Sequence, residues 1–475
     1  MLPNVLQYPV ILFAAFKVGA VVVNINPLYT ASEIKFHLND ADIKVLFVLE
    51  NFAATVQSVI QDDASIQVVF TGVGDLLGLK GLLVNGVIRY FKKMVPRYDL
   101  KKGVMFKKVL GRRYDLSYEK VGLTCDDLAF LQYTGGTTGI AKGAMLSHGN
   151  MIANLMQANS WFKSVFNEGE ERIITALPLY HIFSLLANGL LFVYLGGCNI
   201  LVTNPRDIKG FIHTLSSERF TAMTGVNTLF NALVNHSLIN KVDFGHLKMT
   251  LGGGMAVQQQ VAQCWFDLTG CMLLEAYGLT EASPAVCINP VHLKQFNGAI
   301  GLPIPSTQIC LKNDTFDTIP FDQVGELCVK GPQVMRGYWN NEEETKLVFT
   351  DDGWLRTGDM ASVTKDGFVQ IVGRKKDMIL VSGFNVYPHE IEDVIVCLEG
   401  VLEAAAVGVA DDSGLEIVKL FVVKSQSDLT DTQIVDYCRQ HLARYKVPKL
   451  VEFVDSLPKT MVGKILHRKL RSTDD

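Results

Sequence analysis

The sequence predicts an α/β protein in two parts. The first is a large N-terminal domain of mixed and parallel sheets flanked by helices, with a β-rich subdomain; the second is a small α+β C-terminal domain. Three observations carry this. Apolar β-branched runs alternate with helix-period segments through about residue 254, short strand-like runs with turn signals occupy 300–372, and the charged stretch Arg374-Lys375-Lys376-Asp377 precedes a compact last unit with its own strands. Strands alternating with helices imply βαβ units, and a charged junction crossed by few contacts is where domains part. The expected division is 1–373 and 374–475.

In chain order, GAVVVNIN (19–26), IKVLFVL (43–49) and IQVVFTG (66–72) read as strands, and ASEIKFHLNDAD (31–42) between the first two has a helical period with Ser32 as the expected N-cap. Residues 86–115 hold ten Lys/Arg against two acids, with Val87, Ile88, Phe91, Met94 and Val95 near helical spacing. Two readings fit that segment: an amphipathic element that seeks a lipid surface, or a solvated basic face beside an anionic substrate entrance. The strand pattern resumes at IITALPL (173–179), NILVTN (199–204), FTAMTGV (220–226) and KMTLGGG (248–254). Between Arg172 and Arg206 there is no formal charge. A membrane span needs roughly 20 apolar residues in one helix, and Pro178, His181, Asn188 and Gly196-Gly197 interrupt the run. A buried helix feeding an internal parallel strand is therefore expected. QICLKN, GELCVKG and GFVQIVG supply the β-rich subdomain, and AAAVGVA, IVKLFVV and LVEFV the last unit.

Composition excludes several classes. Hydrophobic residues make up 48% and charged residues 19%, too apolar for a disordered chain. Lys+Arg 44 against Asp+Glu 48 gives a net charge of −4, which argues against a nucleic-acid partner. The nine cysteines are scattered without CxxC or zinc spacing, as expected of free thiols in a reducing compartment. Residues 1–16 carry no basic region of the kind that opens a secretory signal.

The chemistry concentrates in short motifs. In YTGGTTGIAKG (133–143) glycines allow close backbone approach, Thr134, Thr137 and Thr138 add hydroxyls and Lys142 a positive charge, a combination that can cradle a polyphosphate. It is not the GxxxxGK[ST] loop, because Ala141 precedes Lys142 and Gly143 follows it. LGGGMAV (251–257) ends a strand with glycines against which a flat ring can lie, and YGLTE (277–281) sets a hydroxyl beside a carboxylate, suited to phosphate and Mg²⁺. GWLRTGD (353–359) ends in an acid placed to hold ribose hydroxyls, and PKTMVGK (458–464) carries a lysine on a glycine-containing loop.

In this order and spacing, YTGGTTGIAKG, YGLTE, GWLRTGD, GRKKDMILVSGFNVYPHEIE and PKTMVGKIL resemble the acyl-adenylate-forming superfamily. ALPLYHIFSL, TGVNTLFNAL and YKVPKLVEF resemble its bacterial long-chain fatty acyl-CoA synthetase branch, and the resemblance runs from residue 1 to about 471. It implies that ATP and a long-chain fatty acid give acyl-AMP and pyrophosphate, and that coenzyme A then displaces AMP. It places Thr134, Gly135, Gly136, Thr137, Thr138 and Lys142 on the β- and γ-phosphates, Thr280 on the α-phosphate and Glu281 on Mg²⁺. Gly253, Gly254 and Tyr277 would border adenine, and Asp359 and Arg374 would hold the ribose. Lys464 matches the adenylation lysine, Lys376 the hinge of a mobile C-terminal domain, Gly383 the pantetheine passage and His181 a position beside the carboxylate. The resemblance also implies a cytoplasmic enzyme peripherally associated with the inner membrane, frequently a homodimer.

The sequence departs from the family at Ala141, where many members have Pro, and at His467-Arg468-Lys469, a more basic tail. Members also carry a further segment ahead of the stretch resembling MLPNVLQYP, so the chain is expected to lack it. Two alternatives stay open: another acyl- or aryl-CoA ligase, disfavoured by the uncharged TGVNTLFNALV (224–234), and an inactive lipid-binding relative.

Overall fold

The computed structural model describes residues 1–60, 65–99, 103–111, 120–134, 141–381, 383–411, 415–425, 428–459 and 465–471. Its largest sheet has seven strands in the spatial order Leu302–Pro303, Ala285–Ile288, Leu273–Gly278, Met249–Gly253, Ala222–Gly225, Arg172–Thr175 and Cys198–Leu201. The last five run parallel, and the first two join antiparallel. Alternation along each strand sends side chains to opposite faces. Ile174 and Met223 face a core with Phe211, Phe230 and Trp265 from helices Ile208–Ser217, Asn227–Val234 and Gln259–Thr269. Ile173 and Ala222 face a second core with Phe162 and Phe192 from the helices on the other side. Both faces are thus covered, which explains why these strands read as uninterrupted apolar runs.

Around it lie a parallel sheet (Val45–Leu49, Gln67–Thr71, Gly103–Met105) and a mixed one (Val22–Val23, Leu128–Thr134, Lys142–Ser147). A five-stranded antiparallel sheet occupies the expected β-rich stretch, ending in Leu355–Val363 and Val369–Arg374. Beyond the turn Lys375–Asp377, the C-terminal unit sets strands Val401–Ala410, Glu416–Lys424 and Leu450–Phe453 against helices Pro388–Ile395 and Asp431–His441, around a core of its own that includes Ile391, Ala406, Leu420 and Ile434.

Three sequence expectations change. The N-cap of helix Ala31–Asp40 is Thr30, not Ser32: Thr30 is extended, accepts from the Glu33 amide, and receives the Glu33 carboxylate on its own amide at 2.7 Å, a reciprocal capping box. Only Val22–Val23 of the run 19–26 is a strand. The strand Cys198–Leu201 lies at the edge of its sheet among the described residues, not inside it, and is half-exposed accordingly. Within the uncharged run 224–234, helix Asn227–Val234 buries Phe230 and Leu233 in the core. The uncharged run before residue 202 divides as expected into a loop, helical turns over 182–194 and the edge strand.

Candidate active site

Open parallel sheets bind ligands outside the carboxyl ends of their strands, where the connecting loops diverge. Three strands deliver expected residues there. Met249–Gly253 ends at Gly253, followed by Gly254 with φ +78°. A Cβ at Gly253 would stand 3.0 Å from the Ala276 carbonyl oxygen and 3.1 Å from the Phe183 ring, so glycine keeps this edge open. Leu273–Gly278 presents Tyr277, and the turn Thr280–Ala282 follows with Thr280 and Glu281 half-buried. After Arg172–Thr175 comes His181, whose Nδ1 accepts from the Phe183 amide at 3.4 Å at the start of a short helix.

The phosphate-loop motif is a hairpin by position. Strands Leu128–Thr134 and Lys142–Ser147 pair antiparallel with Thr134 opposite Lys142, so the two ends of the loop are held together. Gly135, Gly136, Thr137 and Thr138 lie outside the described residues. The Lys142 ammonium pairs with the Glu344 carboxylate and lies 5.4 Å from the centre of the Tyr338 ring. The Tyr338 hydroxyl in turn donates to Glu281 Oε1 at 2.7 Å. Burial, then the charge of Glu281, pushes the Tyr338 phenol well above its ordinary range, so it stays a proton donor.

A second cluster is built on two antiparallel strands in which Asp359 stands opposite Arg374. Tyr277 donates to Asp359 Oδ2 at 2.5 Å and Arg374 Nε donates to Oδ1 at 2.7 Å. The carboxylate is 4% exposed. Burial, then the charge of Asp359, raises the Tyr277 phenol far above its usual value. Burial also opposes the Arg374 charge, but Asp359, Tyr277, Asp377 and Glu281 more than offset it, so the guanidinium remains firmly protonated. Tyr277 and Glu281 lie four residues apart, on the strand Leu273–Gly278 and the turn Thr280–Ala282 that follows it, and this places the two clusters side by side.

Sequence reasoning did not single out Tyr338 or Glu344. The available signal was RGYWNNEEET (336–345), where Asn341 caps a helix opening on Glu342, Glu343 and Glu344. Which of those acids meets Lys142 depends on the orientation of that helix.

Lys376 and Gly383 stand elsewhere. Lys464 lies outside the described residues. Lys376 is exposed in the turn Lys375–Asp377, and Arg471 of the last helix donates to the carbonyls of Lys376 at 3.4 Å and Asp377 at 3.1 Å. Gly383 is exposed at a hairpin tip beside Phe384, which stacks on Tyr445 with ring centres 4.6 Å apart. A Cβ there would meet nothing within 4 Å. Its φ of +84° is a backbone conformation that side chains rarely adopt, which by itself favours glycine there.

A third charged group lies on helix Pro388–Ile395, which packs against the strand Val369–Arg374. His389 Nδ1 lies 3.7 Å from both Glu392 and Asp393. Burial pulls the imidazole down, but Glu392, Asp393 and the charge of Glu275 across the junction carry it to about 9. Buried Glu275, held by the Val257 amide at 3.0 Å, is raised to about 7 by desolvation. A histidine raised on folding contributes stability that is complete below its unfolded value near 6.5 and lost as pH rises through about 9. Glu275 acts in the same direction, its contribution being lost between about 4.5 and about 7. The melting temperature is therefore expected to fall as pH rises from about 6 to about 10, with His389→Gln flattening the upper part of that profile in differential scanning calorimetry.

The AMP-binding enzyme family matches residues 1–339, and the AMP-binding enzyme C-terminal domain matches residues 390–464. A long-chain-fatty-acid–CoA ligase of Escherichia coli O6:H1 is 53% identical over 472 residues, which cover 99% of this chain and 84% of that protein. The crystal structure of ATP-bound MatB from Rhodopseudomonas palustris superposes with a TM-score of 0.83 at 28% identity, covering 98% of this chain and 86% of that one. The anthranilate CoA ligase AuaEII in complex with anthranoyl-AMP shares the fold, with a TM-score of 0.87 at 24% identity, over 100% of this chain and 86% of that one.

Proposed function

The chain belongs to the AMP-binding enzyme family, and from that premise we propose that it activates long-chain fatty acids to acyl-CoA through an acyl-AMP intermediate, with ATP and coenzyme A as co-substrates. The observation that carries the reading is the joined site: a phosphate-loop lysine, a half-buried carboxylate and a Tyr-Asp-Arg cluster meet at the carboxyl edge of a parallel sheet, in a chain similar over its length to such a ligase.

In the first step the fatty carboxylate attacks the α-phosphate, a P–O bond to the acyl oxygen forms, and the bond to the β-phosphate breaks to release pyrophosphate. Thr134, Gly135, Gly136, Thr137, Thr138 and Lys142 hold the leaving phosphates, for which Lys142 exchanges the Glu344 carboxylate for phosphate oxygen. Thr280 contacts the α-phosphate, His181 sits beside the carboxylate, and Lys464 bridges carboxylate and α-phosphate as charge develops. Gly253, Gly254 and Tyr277 border the adenine, and Asp359, aligned by Tyr277 and Arg374, accepts from the ribose hydroxyls. In the second step the coenzyme A thiol loses its proton, its sulfur attacks the acyl carbonyl, and the acyl–phosphate oxygen bond breaks to release AMP. We place the domain boundary at 373, the hinge at Lys376 and the pantetheine passage at Gly383, which a turn of the C-terminal domain brings to the site in place of Lys464.

Magnesium suits the donors present. Among the described residues no group of three or more His, Cys, Asp or Glu forms a metal cage, whereas Mg²⁺ is commonly held by one carboxylate together with substrate phosphates. Glu281 offers that carboxylate, with one oxygen taken by Tyr338. The bound ion would neutralise phosphate charge. Tyr338 aligns the carboxylate, and a hydrogen bond to a charged group contributes about 1.5–3 kcal/mol. Tyr338→Phe is therefore expected to raise the Mg²⁺ concentration needed for half-maximal adenylation by about tenfold or more, with the Michaelis constant for coenzyme A unchanged in steady-state assays.

The reading extends to peripheral contact with the inner membrane, a cytoplasmic location and a homodimer. Among the described residues no helix is long and apolar enough to cross a membrane. The deciding experiment incubates the chain with ATP, Mg²⁺, coenzyme A and palmitate. AMP and palmitoyl-CoA in equal amounts support the proposal. Turnover of an aromatic acid but not palmitate would assign another ligase, and no product from folded protein would favour the lipid-binding alternative.

A further inference from the structure

We propose that the helix Gly78–Gly86 and its continuation Val87–Phe91 form the surface that docks this protein on an anionic lipid bilayer. The inference rests on the membrane contact put forward above and names the element that makes it.

A helix on a globular protein ordinarily turns its apolar stripe inward and its polar face to water. This one is reversed. Its inner side is Gly81 and Asn85: a Cβ at Gly81 would stand 1.8 Å from the Gly74 carbonyl oxygen, Asn85 Oδ1 accepts from the Gly74 amide at 2.7 Å, and Asn85 Nδ2 donates to Asp75 at 2.9 Å. Close backbone contact and side-chain hydrogen bonds thus fix which face is presented outward. That outward face carries Leu79, Leu83, Tyr90 and Phe91, which are 85%, 74%, 72% and 84% exposed. Residues 79 and 83 are one helical turn apart, and 90 and 91 continue the same exposed side through the wider turn at 87–91. The exposed apolar face therefore begins before the basic segment noted in the sequence and includes leucines that precede it.

Charge selects the partner. Between Leu76 and Tyr98 there is no acid, while Lys80, Arg89, Lys92, Lys93 and Arg97 all fall in that interval. Arg89 is engaged by Glu50, and Lys92 and Lys93 are exposed beside Phe91. Large apolar side chains set among cations without acids are what an interfacial helix presents to anionic headgroups. A second copy of the chain fits less well. In a two-fold contact the same patch meets itself, which would bring these cations opposite one another. Docking here also holds the enzyme where its apolar substrate partitions.

The test is flotation with vesicles of phosphatidylcholine alone or mixed with phosphatidylglycerol, alongside AMP release with a short, water-soluble fatty acid. The wild-type chain is expected to float with the anionic vesicles and to be released by salt. The variant Leu79→Ser/Leu83→Ser/Phe91→Ser should lose that binding by about tenfold or more, while its AMP release stays at the wild-type level because these side chains face water. Lys92→Gln/Lys93→Gln should weaken binding to anionic vesicles only. The proposal is overturned if the wild-type chain does not float, if the triple variant floats like wild type, or if the triple variant changes the oligomeric state in sedimentation velocity while still floating. Failure of the activity reading is seen separately, as absence of AMP release from a chain that still binds vesicles.

Discussion

Lys464→Ala is expected to abolish acyl-AMP formation while sparing the conversion of supplied acyl-AMP to acyl-CoA. The attacking carboxylate and the α-phosphate are both anionic, and their approach needs a cation placed between them. Loss of one such electrostatic contact costs on the order of 10²–10³ in rate. The base of the segment carrying Lys464 is closed by the pairing of Lys459 with Ile465 and by the Leu466 amide donating to the Pro458 carbonyl at 2.8 Å. That base belongs to the C-terminal unit: Lys459 pairs with Glu403, on its long strand. A lysine carried there can serve the first step and leave before the second. Pyrophosphate–ATP exchange reads the first step alone and acyl-CoA formation from synthetic acyl-AMP the second. If exchange survives the substitution, the role given to Lys464 is wrong.

Asp359→Ala should raise the Michaelis constant for ATP by about tenfold to a hundredfold. The carboxylate is nearly fully buried and is the common acceptor of Tyr277 and Arg374. Removing one partner of such a group leaves the other charge uncompensated, and the cost exceeds the value of a single neutral hydrogen bond. Arg374 is partly solvated, so the loss falls below that of a fully buried pair. Asp359→Asn separates the contributions: it can still accept from Tyr277 but no longer balances Arg374. An intermediate Michaelis constant is expected for Asn, with the constant for palmitate unchanged in both variants. Equal effects of Ala and Asn would assign the loss to charge alone.

Parts of this site were legible in the chain because they are local. A glycine-rich hairpin, a strand ending in glycines and a hydroxyl next to a carboxylate each declare themselves within ten or so residues, since strand ends and turns depend on neighbours in sequence. The parallel strands were legible for the same reason, burial on both faces leaving an unbroken apolar run. Where the sequence misled, a neighbouring choice of similar chemistry won. Thr30 rather than Ser32 caps the second helix because only Thr30 has Glu33 three residues on to close the box.

The sequence by itself therefore determined the fold class, the order of the domains and the motifs from which the proposed phosphate, ribose and carboxylate contacts are drawn. The tertiary structure alone decided how those groups meet. Lys142 and Glu344 are 202 residues apart, Tyr338 and Glu281 57, and Tyr277 and Asp359 82. It also decided that Leu79, Leu83 and Phe91 point outward, because the Gly81–Gly74 contact fixes which side of their helix faces the protein. Periodicity records that a residue is apolar and where it falls on its own element. Which partner it meets, or whether it meets water, follows from the packing of elements far apart in the chain, and no local pattern encodes that.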